Sequence, residues 1–276
     1  PPRSTLDRSA AAADVYKRQT INGLKFHYRE WGNPSLPDLV LVHGWSTSGL
    51  VWQDVANELQ DKYHVVAADN RGNGLPDRPQ QGYLLESYAN DICELINKLN
   101  LKSPDYIGHS WGGNIGTIIA AEYSNAVSKV ILEDPVYWKM TDAFVTIVPK
   151  IISRRKSKET VQKEFSDAGK TPQEAEDEVT KFHSFTPAIL RQISSVNRSW
   201  ALECETFLAK CKAPTLLLIA DWKAGGYITT EEFDHLKSIA TNQAEFRLWA
   251  GVGHEMHFTE PSRLVNEALE FFSSGK

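Results

Sequence analysis

From Thr20 onward, short apolar runs alternate with longer segments whose apolar residues recur at helical spacing. Residues 21–31 partly alternate apolar and polar side chains and end at Gly32-Asn33-Pro34, which predicts a strand and a turn. Residues 39–42 are apolar throughout, the pattern of a strand buried on both faces, and stop at His43-Gly44. A helix is predicted over 50–59, and a second buried strand over 63–68 leads to Asp69-Asn70-Arg71-Gly72. Helical spacing returns over 85–99. Tyr106-Ile107 then runs into Gly108-His109-Ser110-Trp111-Gly112, and 114–123 is apolar and helical. Three more strands are predicted: 130–132 before Glu133-Asp134-Pro135, 215–219 before Asp221, and 246–249 before Gly251-Val252-Gly253-His254. Residues 264–272 close the pattern as a helix.

This alternation predicts an α/β fold: a mostly parallel central sheet with helices on both faces. In such sheets the chemistry sits in loops at the carboxyl ends of the strands. His43, Ser110, Asp134, Asp221 and His254 all fall there. The alternation breaks over 137–209, a stretch rich in Lys, Glu and Ser with helix-like pieces at 158–168 and 173–182. Between Lys139 and Ala209 there are 11 basic and 10 acidic residues, so this insert is no charge-steering device. It enters and leaves on the loop side of the sheet, and a helical lid is expected. The expected organisation is a core of 20–136 and 210–276, a helical cap of 137–209, and a segment of 1–19 set aside as non-native or disordered, since it has no initiator Met and no signal-like apolar core.

Composition narrows the function classes. The chain has 276 residues and a formal net charge of −5, with no long single-sign run, which disfavours a nucleic-acid partner. No run reaches the ~18 apolar residues that span a bilayer, so no membrane partner is expected. Cys93, Cys204 and Cys211 have neither metal-site nor disulfide-framework spacing and suit a reducing cytosol, so a cytoplasmic location is expected. The sequence offers no metal site and no dinucleotide fingerprint, so no cofactor is expected. The expected partner is a small-molecule substrate, and the expected state a monomer or homodimer.

Gly108 to Gly112 matches G-x-S-x-G. In that pattern a sharp strand-to-helix turn strains the serine backbone, and small neighbours prevent clashes. The hydroxyl then projects at a helix N-terminus, where developing negative charge is favoured. A serine nucleophile needs a base. His254 is the candidate, in a glycine-flanked loop after the last strand, with His257 as a pocket residue. The tetrahedral intermediate needs two fixed N–H donors. The backbone of Trp111 follows the nucleophile, and that of Trp45 follows the His43-Gly44 strand end. Both tryptophan side chains would then build pocket wall.

With His43-Gly44-Trp45, Asp69-Asn70-Arg71-Gly72, the serine motif and Gly253-His254 in this order, the chain resembles an α/β-hydrolase-fold protein over essentially all of 20–276 apart from the lid. The resemblance implies hydrolysis of an ester, amide, lactone, epoxide or halide. A serine nucleophile favours the acyl group, because epoxide hydrolases and haloalkane dehalogenases of this fold use an aspartate. The family's usual triad acid aligns here with Lys223, which cannot accept a hydrogen bond. Asp134, after the strand that follows the nucleophile helix, is similar in position to the alternative acid of some members and is preferred. Asp221 is the alternative, and Glu133 trails because neighbouring strand residues point to opposite sides.

The leading expectation is a serine hydrolase, of carboxylesterase or lactonase type, acting on a small and fairly apolar substrate. His43, Trp138, Phe144, Phe185, Trp200, Trp222 and His257 would line its pocket. Two alternatives share the fold. A cofactor-free ring-cleaving dioxygenase would carry a histidine where this chain has Thr47, and a ligand receptor on a hydrolase scaffold would turn over slowly. A cofactor-free haloperoxidase-like activity would use the same triad.

Overall fold

A computed structural model describes residues 15–73, 77–137, 158–169, 171–172, 186–189 and 199–275. Eight strands form one sheet in the order β1-β2-β4-β3-β5-β6-β7-β8. They are β1 (Val15–Ile21), β2 (Leu24–Trp31), β3 (Asp38–Val42), β4 (His64–Ala68), β5 (Asp105–His109), β6 (Val130–Glu133), β7 (Thr215–Ala220) and β8 (Ala244–Trp249). β3 through β8 pair in parallel, while β2 lies antiparallel to β4 and β1 antiparallel to β2.

The expected single strand over 21–31 is instead the second half of a hairpin. Ile21 pairs with Leu24 across Asn22-Gly23, whose φ values are 49° and 79°. Two consecutive positive φ values define the tight hairpin turn that Asn-Gly favours. β1 therefore begins at Val15, inside the segment set aside as non-native or disordered, and the sheet starts six residues before the expected first strand.

The solid apolar runs have a simple cause. Side chains alternate along a strand, and here helices cover both faces. Val40, Val42, Val66 and Ala68 join one buried cluster with residues of α2 (Leu85–Lys98) and α3 (Trp111–Glu122). Leu39, Leu41, Val65 and Ala67 join the other, with α1 (Gln53–Leu59) and the closing helix Pro261–Ser273. A helix over Thr230–Ile239 had no counterpart in the pattern. It is set by a capping box, in which the Thr229 hydroxyl and the Glu232 carboxylate cap each other's backbone N–H groups.

The chain leaves β3 toward β4 on one side and reaches β5 on the other. This reversal opens a crevice beyond the carboxyl ends of β3 and β5. Among the described residues no helix is long and apolar enough to cross a membrane. Most of 137–209 lies outside the described residues, which include a helix at Lys158–Asp167 and another at Ser199–Leu208.

Candidate active site

Ser110 joins β5 to α3 with φ 52° and ψ −113°, a conformation that costs a non-glycine residue about 1–3 kcal/mol. Close backbone contacts hold it there. A Cβ on Gly108 would fall 2.2 Å from the Gly112 carbonyl oxygen, and one on Gly112 would fall 2.2 Å from that of Val42. Both positions therefore require glycine. The Tyr106 hydroxyl donates to the Gly112 carbonyl at 2.6 Å and fixes the turn from below. Ser110 itself is 3% exposed and sits at the N-terminal end of α3, the positive end of the helix dipole.

The loop after β3 passes against this elbow, since a Cβ on Gly44 would sit 3.3 Å from that of Ser110. The loop after β4 braces it. The Asn70 N–H donates to His43 Nε2 at 2.9 Å, its side-chain amide donates to the His43 carbonyl at 3.0 Å, and the Ser46 N–H donates to Asn73 Oδ1 at 3.0 Å. His43 Nε2 is an acceptor, so the proton sits on Nδ1, against the Gly44 carbonyl. Burial pushes the His43 pKa down and keeps the ring neutral. Arg71 anchors the bracing loop through a bidentate ion pair with Asp91 at 2.5 Å and a 2.7 Å hydrogen bond to the Gly82 carbonyl.

Asp134 and His254 come together across the sheet end, 120 residues apart in sequence, with Oδ2 2.6 Å from Nδ1. Asp134 is fully buried, where an unpaired carboxylate would be costly. Two further donors satisfy it: the Ala220 N–H on Oδ1 at 3.2 Å and the Tyr227 N–H on Oδ2 at 2.9 Å. The post-β6 loop that carries Asp134 is tied to α3 by the Asn114 side chain, which both donates to and accepts from the backbone of Val136.

Tyr227 also stacks on the imidazole of His254, with ring centroids 3.5 Å apart and planes 14° from parallel. It is a positioning residue that the sequence reading missed, although Gly225-Gly226 marked an expanded loop there. Tyr227→Ala is expected to lower kcat about 10- to 100-fold with little change in KM, and Tyr227→Phe to restore it. Steady-state kinetics of the two variants check this; equal losses in both would mean that the hydroxyl, not the stacked ring, matters.

Several expected residues lie elsewhere. Asp221 does not reach His254. Its carboxylate accepts the N–H groups of Lys223 and Gly251, each at 2.9 Å, and these backbone bonds depress its pKa. It is a brace between the β7 and β8 loops. Trp222 is 46% exposed in the same turn. His43 is fully buried between two loops rather than lining a pocket. The Trp111 side chain is also core, edge-on to Tyr88 at 5.9 Å. Trp45 packs partly buried against the α2–α3 core. Trp138, Phe144 and Phe185 lie outside the described residues, as does the side chain of Trp200.

His257, also expected in the pocket, is 1% exposed and bound to Glu133. Glu133 Oε1 accepts from the His257 backbone at 2.9 Å and lies 2.8 Å from its Nδ1. Burial alone would lower the His257 pKa, but the Glu133 charge and hydrogen bond outweigh it and raise it. The neighbours Glu133 and Asp134 thus point to opposite sides and each engages one histidine of the same loop. His109 lies between these histidines, with centroids 4.5 Å from His254 and 4.6 Å from His257. Burial and the neighbouring imidazoles hold His109 well below the ordinary histidine pKa.

Residues 37–199 match the family model described as alpha/beta hydrolase fold. Over 133 residues the chain is 33% identical to Epoxide hydrolase 4 of Mus musculus, covering 48% of this chain and 37% of that protein. Over 137 residues it is 30% identical to 2-(acetamidomethylene)succinate hydrolase of Mesorhizobium japonicum, covering 50% of this chain and 49% of that protein. The chain thus matches half or less of the length of these curated relatives. Among solved structures, E-2-(acetamidomethylene)succinate hydrolase superposes with a TM-score of 0.78 at 20% identity, covering 95% of this chain and all of that one. The enol-lactonase from Burkholderia xenovorans LB400 superposes with a TM-score of 0.72 at 16% identity, covering 94% of this chain and all of that one. From the strained serine elbow to the family match, the chain belongs to the alpha/beta hydrolase fold family.

Proposed function

We propose that this hydrolase cleaves a small, fairly apolar ester or lactone through an acyl-enzyme on Ser110. The observation that carries the reading is the buried Asp134–His254 pair at the sheet end that also bears the strained Ser110. In this reading Asp134 holds the proton on His254 Nδ1, which leaves Nε2 as the base. Nε2 takes the Ser110 proton as Oγ attacks the carbonyl carbon. The backbone N–H groups of Trp111 and Trp45 receive the oxyanion. The leaving oxygen takes the proton back from His254, and water then attacks the acyl-enzyme by the same route.

The relatives named for epoxide hydrolysis do not carry that activity over. Ring opening by a serine hydroxyl would leave an ether, which water does not cleave, whereas ring opening by a carboxylate leaves a hydrolysable ester. A solved neighbour named as an enol-lactonase supports acyl chemistry on this scaffold.

The test is a panel of p-nitrophenyl esters of graded chain length together with lactones, run alongside a fluorophosphonate probe. Turnover of short esters or lactones and probe adduct on Ser110 are expected. No turnover across the panel with no adduct on Ser110 would overturn the reading.

A further inference from the structure

Behind His254, three side chains that the proposed hydrolysis does not use converge on one point. They are His109, from the nucleophile elbow, and Glu255 and His257, from the histidine loop. Glu255 Oε2 lies 4.0 Å from His109 Nε2 and 3.9 Å from His257 Nε2, and all three atoms fall within 4.8 Å of one another. We propose that His109, Glu255 and His257 form a binding site for a divalent transition metal of the zinc class.

The arrangement has the parts that such a site needs. Two sides of the triangle are about 4 Å and the third is no longer than 4.8 Å, so a point no more than roughly 2.5 Å from each atom lies between them, and a contraction of up to about half an ångström reaches the ~2.0–2.1 Å of zinc–imidazole bonds. Two imidazoles and one carboxylate select zinc, cobalt or nickel over calcium or magnesium, which take oxygen ligands. His257 Nε2 is buried and has no hydrogen-bond partner among the described residues, although its ring is otherwise firmly held. The partner on its far nitrogen is the Glu133 carboxylate at 2.8 Å. A carboxylate there fixes the proton on Nδ1 and turns the Nε2 lone pair outward, as the outer shell of metal-bound histidines does. His109 Nε2 now faces the His254 carbonyl at 3.1 Å; ligation moves the His109 proton to Nδ1 and releases that carbonyl. The Glu255 side chain is 47% exposed and gives the metal a path from solvent, with coordination positions left for water.

Such an ion would fasten the residue preceding Ser110 to Glu255 and His257, one and three residues after His254. The proposal stands apart from the hydrolase reading, because its test reads metal binding and not turnover. The experiment titrates Co(II) into the untagged, chelator-stripped full chain at mildly alkaline pH, where histidine protons do not compete. One equivalent is expected to give the visible absorption of low-coordinate Co(II). Zinc at about a hundred times its Kd is expected to raise Tm by about 5 °C or more. Glu255 is half-exposed, so Glu255→Gln should fold normally, lose the absorption and weaken binding on the order of 100-fold. His257→Gln should lose the absorption as well. No Co(II) absorption at one equivalent, or a zinc-induced Tm shift equal in wild type and Glu255→Gln, would overturn the proposal.

Discussion

Replacing Ser110 with alanine is expected to lower kcat on the best ester or lactone by about 10⁴- to 10⁶-fold, with little change in KM. In the proposed mechanism the hydroxyl contributes to bond formation in the transition state and little to ground-state binding, so the loss falls on kcat. Alanine carries the same Cβ, and the Gly108 and Gly112 contacts that hold the turn do not involve the hydroxyl. The variant should therefore fold with an unchanged Tm. His254→Ala should lose a similar factor, because either half of a nucleophile–base pair is ineffective alone. Combining the two should add almost nothing further. The measurement is burst-phase and steady-state kinetics, with intact-mass detection of the fluorophosphonate adduct. Turnover within tenfold of wild type in Ser110→Ala would remove the serine from the mechanism.

Asp134→Asn should lower kcat by about 10³- to 10⁴-fold, while Asp221→Asn should change it by less than about tenfold. The asymmetry follows from the partners. Asp134 Oδ2 lies 2.6 Å from His254 Nδ1 and also accepts the Tyr227 N–H, while Oδ1 accepts the Ala220 N–H. An asparagine keeps the shape but presents one NH₂ group to three donors, so at least one donor loses its acceptor. If the amide nitrogen faces the imidazole, the ring proton is driven to Nε2 and the base is lost. Asp221 only accepts two backbone N–H groups in an exposed turn, a task that an asparagine oxygen can share. Kinetics of both variants, with circular dichroism to exclude unfolding, check the ranking. The reverse ranking would make Asp221 the acid and leave Asp134 as a turn residue.

The parts of the fold fixed by local chemistry were legible in the sequence. Apolar runs such as 39–42 mark strands buried on two faces, and a glycine-bracketed serine marks the elbow. The Asn22-Gly23 turn and the Thr229–Glu232 capping box carried equally local signals and were overlooked. Other features depend on contacts between distant segments. Period-two alternation put Glu133 on the opposite side from Asp134, but nothing local said that His257 waits there, 124 residues away. Nor could sequence show that His43 and Trp111 are core rather than pocket. Both flank small residues at strand ends, and only the packing of α2 and the loop after β4 decides which way they face. Tyr227 reaches His254 because a left-handed glycine at position 225, with φ 100°, turns the chain back over the ring.

The consecutive carboxylates at the end of β6 constrain how this protein can change. Asp134 reads the position of His254 and Glu133 reads the position of His257, from opposite sides of one strand. The two histidines are three residues apart, so a single inserted residue between them leaves one carboxylate without its partner. A deletion does the same. The spacing His254–His257 therefore behaves as a ruler held at both ends, and length variation in this region should fall outside it, in the exposed turn around Gly251 or after Thr259. Loop grafting from relatives should succeed when both ends of the ruler move together. Grafts that carry only His254 should give folded protein in which that ring is misplaced.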